Sequence, residues 1–168
     1  MTANPTKTIN ELISALAYVI DIEKGRNIYH AWRVSILTAR IAKHLVEPTL
    51  LKEIFYASLL HDIGGVELSH HIIHYLKLDN KENRNLLLSH PVVGAQIVSN
   101  IPKLTPAAKF ILDHHEWING TGYPRAKIGK DIPLGSQIIR IADAIDILIQ
   151  TDKGLDLNKF IKIMLAKV

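Results

Sequence analysis

The chain of 168 residues contains no cysteine. That excludes disulfides and thiolate ligands together, so a metal would have to be held by nitrogen and oxygen donors, and a structural zinc site is not expected. No apolar run approaches the roughly 20 residues that a membrane-spanning helix requires. The polar start Met1-Thr2-Ala3-Asn4-Pro5 carries no secretory apolar segment. Internal repeats, low-complexity tracts and linkers are also missing. Lys and Arg outnumber Asp and Glu by 20 to 16, for a formal charge of +4, yet the basic residues are scattered and form no block. This charge suits a small phosphate-bearing anion better than extended nucleic acid. The expectation is a soluble, unprocessed cytoplasmic protein with no membrane association and no DNA or RNA polymer as partner.

With 48% hydrophobic residues, a chain of this length can bury the core of one domain, 1–168. Nearly every segment reads as helix. Thr8 and Glu11 have capping-box spacing, and Ile9, Leu12, Ile13, Leu16 and Ile20 follow at helical intervals. A second helix after Gly25 carries His30, Val34, Leu37, Ile41 and Leu45 and stops before Pro48. A third runs from about Thr49 to His61-Asp62, closed by Gly64-Gly65. The next spans 86–99, with Ser89 as cap and Pro91 in the first turn. Thr105-Pro106 opens another that ends around His114-His115, followed by a long loop rich in glycine and proline over 116–135. A helix over 136–150 and a last amphipathic one from Asp156 to Leu165 complete an all-α, single helical-bundle fold.

Packing alone does not account for the histidines. There are nine, and His30, His61-Asp62, His90, His114-His115 and Asp143 punctuate the chain. Adjacent residues on a helix point about 100° apart, so neither pair can share one solvated face or one core face. Each can straddle a metal centre. Imidazole and carboxylate donors suit first-row transition metals, and a carboxylate between histidine clusters can bridge two of them. These residues come from separate helices or helix ends, so the fold must gather them, as helical bundles do when they build metal sites in their cores. His70 and His74, four apart, form a weaker surface pair. Glu116 reads as a partner orienting a histidine or as a solvated loop residue, and Trp117 as a base-stacking ring or as packing at the rim of the core.

The motifs also resemble a known family. His30-Ala31-Trp32-Arg33-Val34 is similar to H-x-x-R-V, Leu60-His61-Asp62-Ile63-Gly64 to L-H-D-I-G, and His90-Pro91 to H-P. His114-His115-Glu116 with Gly120-Thr121-Gly122-Tyr123-Pro124 is similar to H-H-E…G-x-G-Y-P, and Ile141-Ala142-Asp143-Ala144-Ile145-Asp146 to i-A-D-x-x-D. Over 26–150 the chain thus resembles the HD superfamily of metal-dependent phosphohydrolases, and within it the HD-GYP domains that cleave cyclic di-GMP. The resemblance implies an HD bundle with two divalent transition-metal ions in its core, iron or manganese. One would be held by His30, His61, Asp62 and Asp143, the other by His90, His114 and His115, with Asp62 bridging. It casts His61 and Asp62 as catalytic and places Gly122, Tyr123, Pro124 and Arg33 beside the substrate. The implied reaction is hydrolysis of cyclic di-GMP or a related phosphodiester by a metal-activated hydroxide. The implied partners are a cyclic dinucleotide or other phosphoester and, beyond it, a second copy or a signalling protein.

The departures from the family pattern point in one direction. Its lysine after H-D-I-G is Gly65, the aspartate of its H-H-E-x-x-D-G is Asn119, an arginine ahead of its last motif is Gln137, and its R-P-Y segment is Thr151-Asp152-Lys153-Gly154. Arg26 stands where some members carry a glutamate for a third metal. Metal ligands survive while cations for the substrate are lost, so hydrolysis should be slow. A catalytically weak signalling or binding module is one alternative. An HD-fold diiron oxygenase is another, and the G-x-G-Y-P loop and the histidine pair speak against it. The chain is short of the family's usual C-terminal portion, and no receiver domain precedes the motifs. It is either a domain acting alone or a piece of something longer.

Overall fold

The computed structural model describes residues 5–23, 29–65 and 81–151, together with 158, 161 and 162. Six α-helices lie among them: α1 (Pro5–Glu23), α2 (His30–Ala42), α3 (Pro48–Leu59), α4 (Lys81–Ser99), α5 (Thr105–Leu112) and α6 (Leu134–Thr151). Two 3-10 turns, Ile63–Gly65 and Gly129–Asp131, complete the order, and the described residues contain no strand beyond an isolated Asn119–Ile128 bridge. The all-α expectation holds. The segment around His70 and His74, Arg26, and most of the last expected helix lie outside the described residues.

Packing follows the apolar periodicity. On α2 the buried His30, Ala31, Val34, Ser35, Thr38 and Ala42 form one stripe, and α2 packs on α3 and α6. Ile54, Leu60, Val98, Ile111 and Ile139 fill the centre without measurable exposure beyond 1%. The stripe of α1 is rotated from the expected one. Ile13, Ala17 and Ile20 are buried, while Leu12 and Leu16 are 65% and 37% exposed. Thr8 lies inside α1 and not at its start, because α1 begins at Pro5, whose fixed φ suits a first helical turn.

Two further expectations about helix ends are corrected. α4 extends back to Lys81, so Ser89 is not a cap and Pro91 is interior. Gly64 is more than a helix terminator: a Cβ there would overlap the His90 carbonyl oxygen and lie 2.5 Å from the Gly94 nitrogen. The turn after α3 and the middle of α4 therefore meet backbone to backbone, which only glycine permits. No helix among the described residues is long and apolar enough to cross a membrane.

Candidate metal centre

Both adjacent pairs of candidate ligands fall just past helix ends. α3 stops at Leu59 and α5 at Leu112, so His61-Asp62 and His114-His115 occupy the turns that follow and not the last helical turns expected from the sequence. The fixed 100° offset does not operate there, and both members of each pair turn inward. His61 Nε2 is 3.5 Å from Asp62 Oδ1, and the His114 and His115 ring centroids are 4.0 Å apart. His30 opens α2, anchored where the buried Asp21 carboxylate of α1 accepts the Ala31 N–H at 3.3 Å. His90 sits within α4 and Asp143 within α6.

Helix ends also set the orientation of the rings. The last turn of a helix leaves carbonyls without N–H partners. His61 Nδ1 donates to Ser58 O at 2.7 Å and His114 Nδ1 to Ile111 O at 2.6 Å, in each case three residues back. His90 does the same inside a helix, donating to Leu87 O at 2.6 Å. Pro91 makes this possible, because position 91 would otherwise supply the N–H that closes on Leu87 O. A carbonyl can only accept, so each ring carries its proton on Nδ1 and presents the Nε2 lone pair inward.

His30 relies on a side chain instead. Its Nδ1 donates to Asp146 Oδ2 at 2.8 Å, and Arg33 donates to the same carboxylate at 2.6 and 2.9 Å. Arg33, expected beside the substrate, is thus turned toward Asp146 and acts through it on His30. Burial pushes His30 down, but the Asp146 hydrogen bond and the charges of Asp143 and Asp62 outweigh it and leave its pKa raised. Burial pushes Asp146 up, and His30 and Arg33 overcome that to hold it low. Replacing Asp146 with alanine should weaken divalent-metal affinity on the His30 side about tenfold, the lower end for loss of such a partner. Titration with Mn²⁺ tests this, and an unchanged isotherm would detach Asp146 from the site.

Asp62 lies at the centre of the arrangement. Its Oδ1 is 3.5, 3.6 and 3.9 Å from Nε2 of His61, His90 and His114, and its Oδ2 is 3.8 Å from His30 Nε2. Asp143 Oδ1 is 3.5 Å from His30 Nε2. The donor atoms form two groups, each within 4.8 Å: Asp62 with His90, His114 and His115, and Asp62 with His30 and His61. Membership of both groups is what a bridging carboxylate requires.

The chemistry of this donor set calls for cations. Nε2 of His90 lies 3.2 Å from that of His114 and 3.1 Å from that of His115. With the His90 and His114 protons held on Nδ1, two lone pairs face each other, which is repulsive until a cation accepts both. Protonation at His114 or His115 does not relieve it, since burial and then the neighbouring histidines hold both well below the usual imidazole range. Burial lowers His61 too, and its buried Nε2 meets no hydrogen-bond partner among the described residues. Beside these rings stand the buried carboxylates of Asp62 and Asp143, whose charge needs compensation. A nitrogen and oxygen shell of this kind fits divalent transition-metal ions.

A family model described as HD domain matches residues 14–165. The chain belongs to the HD domain family. This HD domain is 32% identical over 142 residues to a cyclic di-GMP phosphodiesterase of Thermotoga maritima, covering 83% of the chain and 38% of that protein. It is also 32% identical over 142 residues to the 3'3'-cGAMP-specific phosphodiesterase 3 of Vibrio cholerae, covering 82% of the chain and 30% of the relative. The chain therefore spans well under half the length of either. Its fold matches the crystal structure of the cyclic GMP-AMP specific phosphodiesterase V-cGAP3 of V. cholerae with a TM-score of 0.74, at 20% identity, over 95% of this chain and 44% of that one. It matches Bd1817, an HDG"Y"P protein from Bdellovibrio bacteriovorus, with a TM-score of 0.69 at 27% identity, over 96% and 54%.

In this HD domain the G-x-G-Y-P loop borders the second donor group. Tyr123 stacks on His115 with centroids 4.7 Å apart, and burial raises its phenol pKa, so it stays a neutral donor. Gly122 is required where it stands, because a Cβ would overlap the backbone of Glu116 and Trp117. Pro124 follows through a cis peptide. Glu116 neither orients a histidine nor stands in solvent: it is buried and accepts the Arg125 and Lys127 backbone N–H groups at 2.6 and 3.0 Å. Asp113, unremarked in the sequence, is fully buried and holds both side chains, Arg125 at 2.6 Å and Lys127 at 3.0 Å. Asn119 Oδ1 accepts Thr121 N–H and O–H at 3.1 and 2.7 Å, a turn that needs no charge. Gln137 donates to Ile132 O at 2.9 Å. The Gly65 N–H donates to the Asp62 carbonyl at 2.9 Å, so the position of the missing lysine adjoins the central aspartate.

Proposed function

We propose that this HD domain is a metal-dependent phosphodiesterase acting on cyclic di-GMP or a related cyclic dinucleotide. The observation that carries the reading is the pair of buried donor groups joined through Asp62. His30, His61, Asp62 and Asp143 would hold one divalent ion and His90, His114 and His115 the other, with Asp62 shared and iron or manganese as occupants. What such a pair supplies when bound is Lewis acidity, which generates a nucleophile from water at neutral pH and neutralises charge on phosphoryl oxygens. The residues themselves do the rest. Backbone carbonyls and Asp146 hold a proton on Nδ1 and so turn Nε2 toward the metal positions, the walls of the bundle exclude bulk water, and Tyr123 offers a neutral donor at the loop. Gly122, Tyr123 and Pro124 form the side of the pocket facing the substrate. Both relatives named above are cyclic-dinucleotide phosphodiesterases by name, which favours this chemistry over oxygen activation.

Purified protein should carry about two transition-metal ions per chain, as two donor groups imply, and should linearise cyclic di-GMP or 3'3'-cGAMP. Elemental analysis finding no metal after anaerobic reconstitution would remove the metal reading. A metal-loaded protein that binds but never cleaves either nucleotide would instead identify a binding module, the reading favoured by glycine at position 65.

A further inference from the structure

Among the described residues four cations lie around the centre, each paired with a buried carboxylate, and three of them have no buried donor left unpaired. Arg33 makes two bonds to Asp146, while Arg125 and Lys127 converge on Asp113. Arg140 differs. It lies one helical turn before Asp143 on α6, and its terminal nitrogen donates to Asp143 Oδ2 at 3.1 Å. Its guanidinium carbon lies 4.3 Å from the centroid of the Trp117 ring, at the start of the G-x-G-Y-P loop. The side chain is only 19% exposed, yet its Nε–H is buried and meets no acceptor among the described residues. A buried, always-charged fork with a donor left over is costly unless an acceptor arrives. Its bond to Asp143 and its contact with Trp117 set it at the junction of the metal centre and the loop.

We propose that Arg140, held over the Trp117 ring, binds a non-bridging phosphate oxygen of the substrate and supplies the cation that Gly65 does not. The ring holds the guanidinium in place by a cation–π contact, and the bond to Asp143 ties the fork to the metal-ligand edge of the site. A planar fork suits phosphate bidentately, which an ammonium does not. This assignment rests on the phosphodiesterase reading for its substrate, but not for its ligand class, which is phosphate.

The test uses metal-loaded protein, with inorganic phosphate as the first probe and cyclic di-GMP as the second. Arg140→Gln should keep the wild-type metal content while phosphate affinity and 1/KM fall about tenfold, the usual scale for one charge-assisted hydrogen bond. Arg140→Lys should recover only part of this, and Trp117→Leu should give a smaller loss in the same direction. Unchanged phosphate affinity in Arg140→Gln overturns the proposal. So does a loss of metal that parallels the loss of affinity, because Arg140 would then only position Asp143, and so does a wild type that binds no phosphate. A wild type that binds phosphate through Arg140 but leaves every cyclic dinucleotide intact would sustain the proposal and overturn the phosphodiesterase reading instead.

Discussion

Asp62→Ala is expected to empty both metal positions at once, whereas Asp143→Ala should weaken only the one beside His30. The asymmetry follows from geometry: Asp62 places one oxygen within 4 Å of three histidine Nε2 atoms and the other 3.8 Å from His30, while Asp143 approaches His30 and Arg140. Removing the shared carboxylate also leaves His90 and His114 facing each other without the anion that favours a cation between them. Hydrolysis should fall by on the order of a thousandfold, since both the source of the nucleophile and the neutralising charge go together. Elemental analysis and turnover on the same sample decide the matter. Asp62→Ala protein that retains two metals and full activity would show that the carboxylate does not bridge. Asp62→Asn separates charge from shape, and it should behave like the alanine variant if charge is what matters.

Pro91→Ala should make the protein more stable and bind metal less well. Proline in a helix interior costs about 3 kcal/mol relative to alanine, through a lost N–H bond and a clash with the carbonyl four residues back. Position 91 lies well inside α4, and the carbonyl in question is Leu87 O, which accepts His90 Nδ1 at 2.6 Å. Alanine would restore the backbone donor, gain up to about 3 kcal/mol in denaturant unfolding, and make the imidazole share its acceptor. Metal affinity at the His90 group should drop about tenfold, as when other partners of ligating histidines are lost. A stabilised variant with unaltered metal affinity would mean that the proline serves only the path of the helix.

The candidate donors were legible because their chemistry belongs to the residue types themselves and their order along the chain is distinctive. The helical class was legible from periodicity. What local reasoning misplaced were boundaries. Ser89 and Pro91 carry the chemistry of a helix start, yet tertiary contacts extend α4 back through them to Lys81. His61-Asp62 and His114-His115 were read as helical, and their convergence depends on lying just beyond helix ends, a shift of two or three residues that propensity does not resolve. Arg140 escaped notice because an arginine three residues before an aspartate reads as an ordinary solvated pair. Its burial and its ring partner depend on Trp117, which the fold brings in from the preceding loop. Asp113 was silent and the role of Glu116 misplaced for a similar reason, since their partners, Arg125 and Lys127, come from the far side of the G-x-G-Y-P segment.

Three of the imidazoles take their tautomer from the main chain at Ser58, Leu87 and Ile111, and a main-chain oxygen survives any side-chain replacement. An alanine scan across those three positions would therefore report on packing and leave the acceptors intact, so the scaffolding of His61, His90 and His114 is invisible to such a screen. Of these four, His30 alone hangs from a replaceable group, Asp146. Random mutagenesis should accordingly find the His30 half of the centre fragile and the other half robust, although the two halves lie side by side around one aspartate.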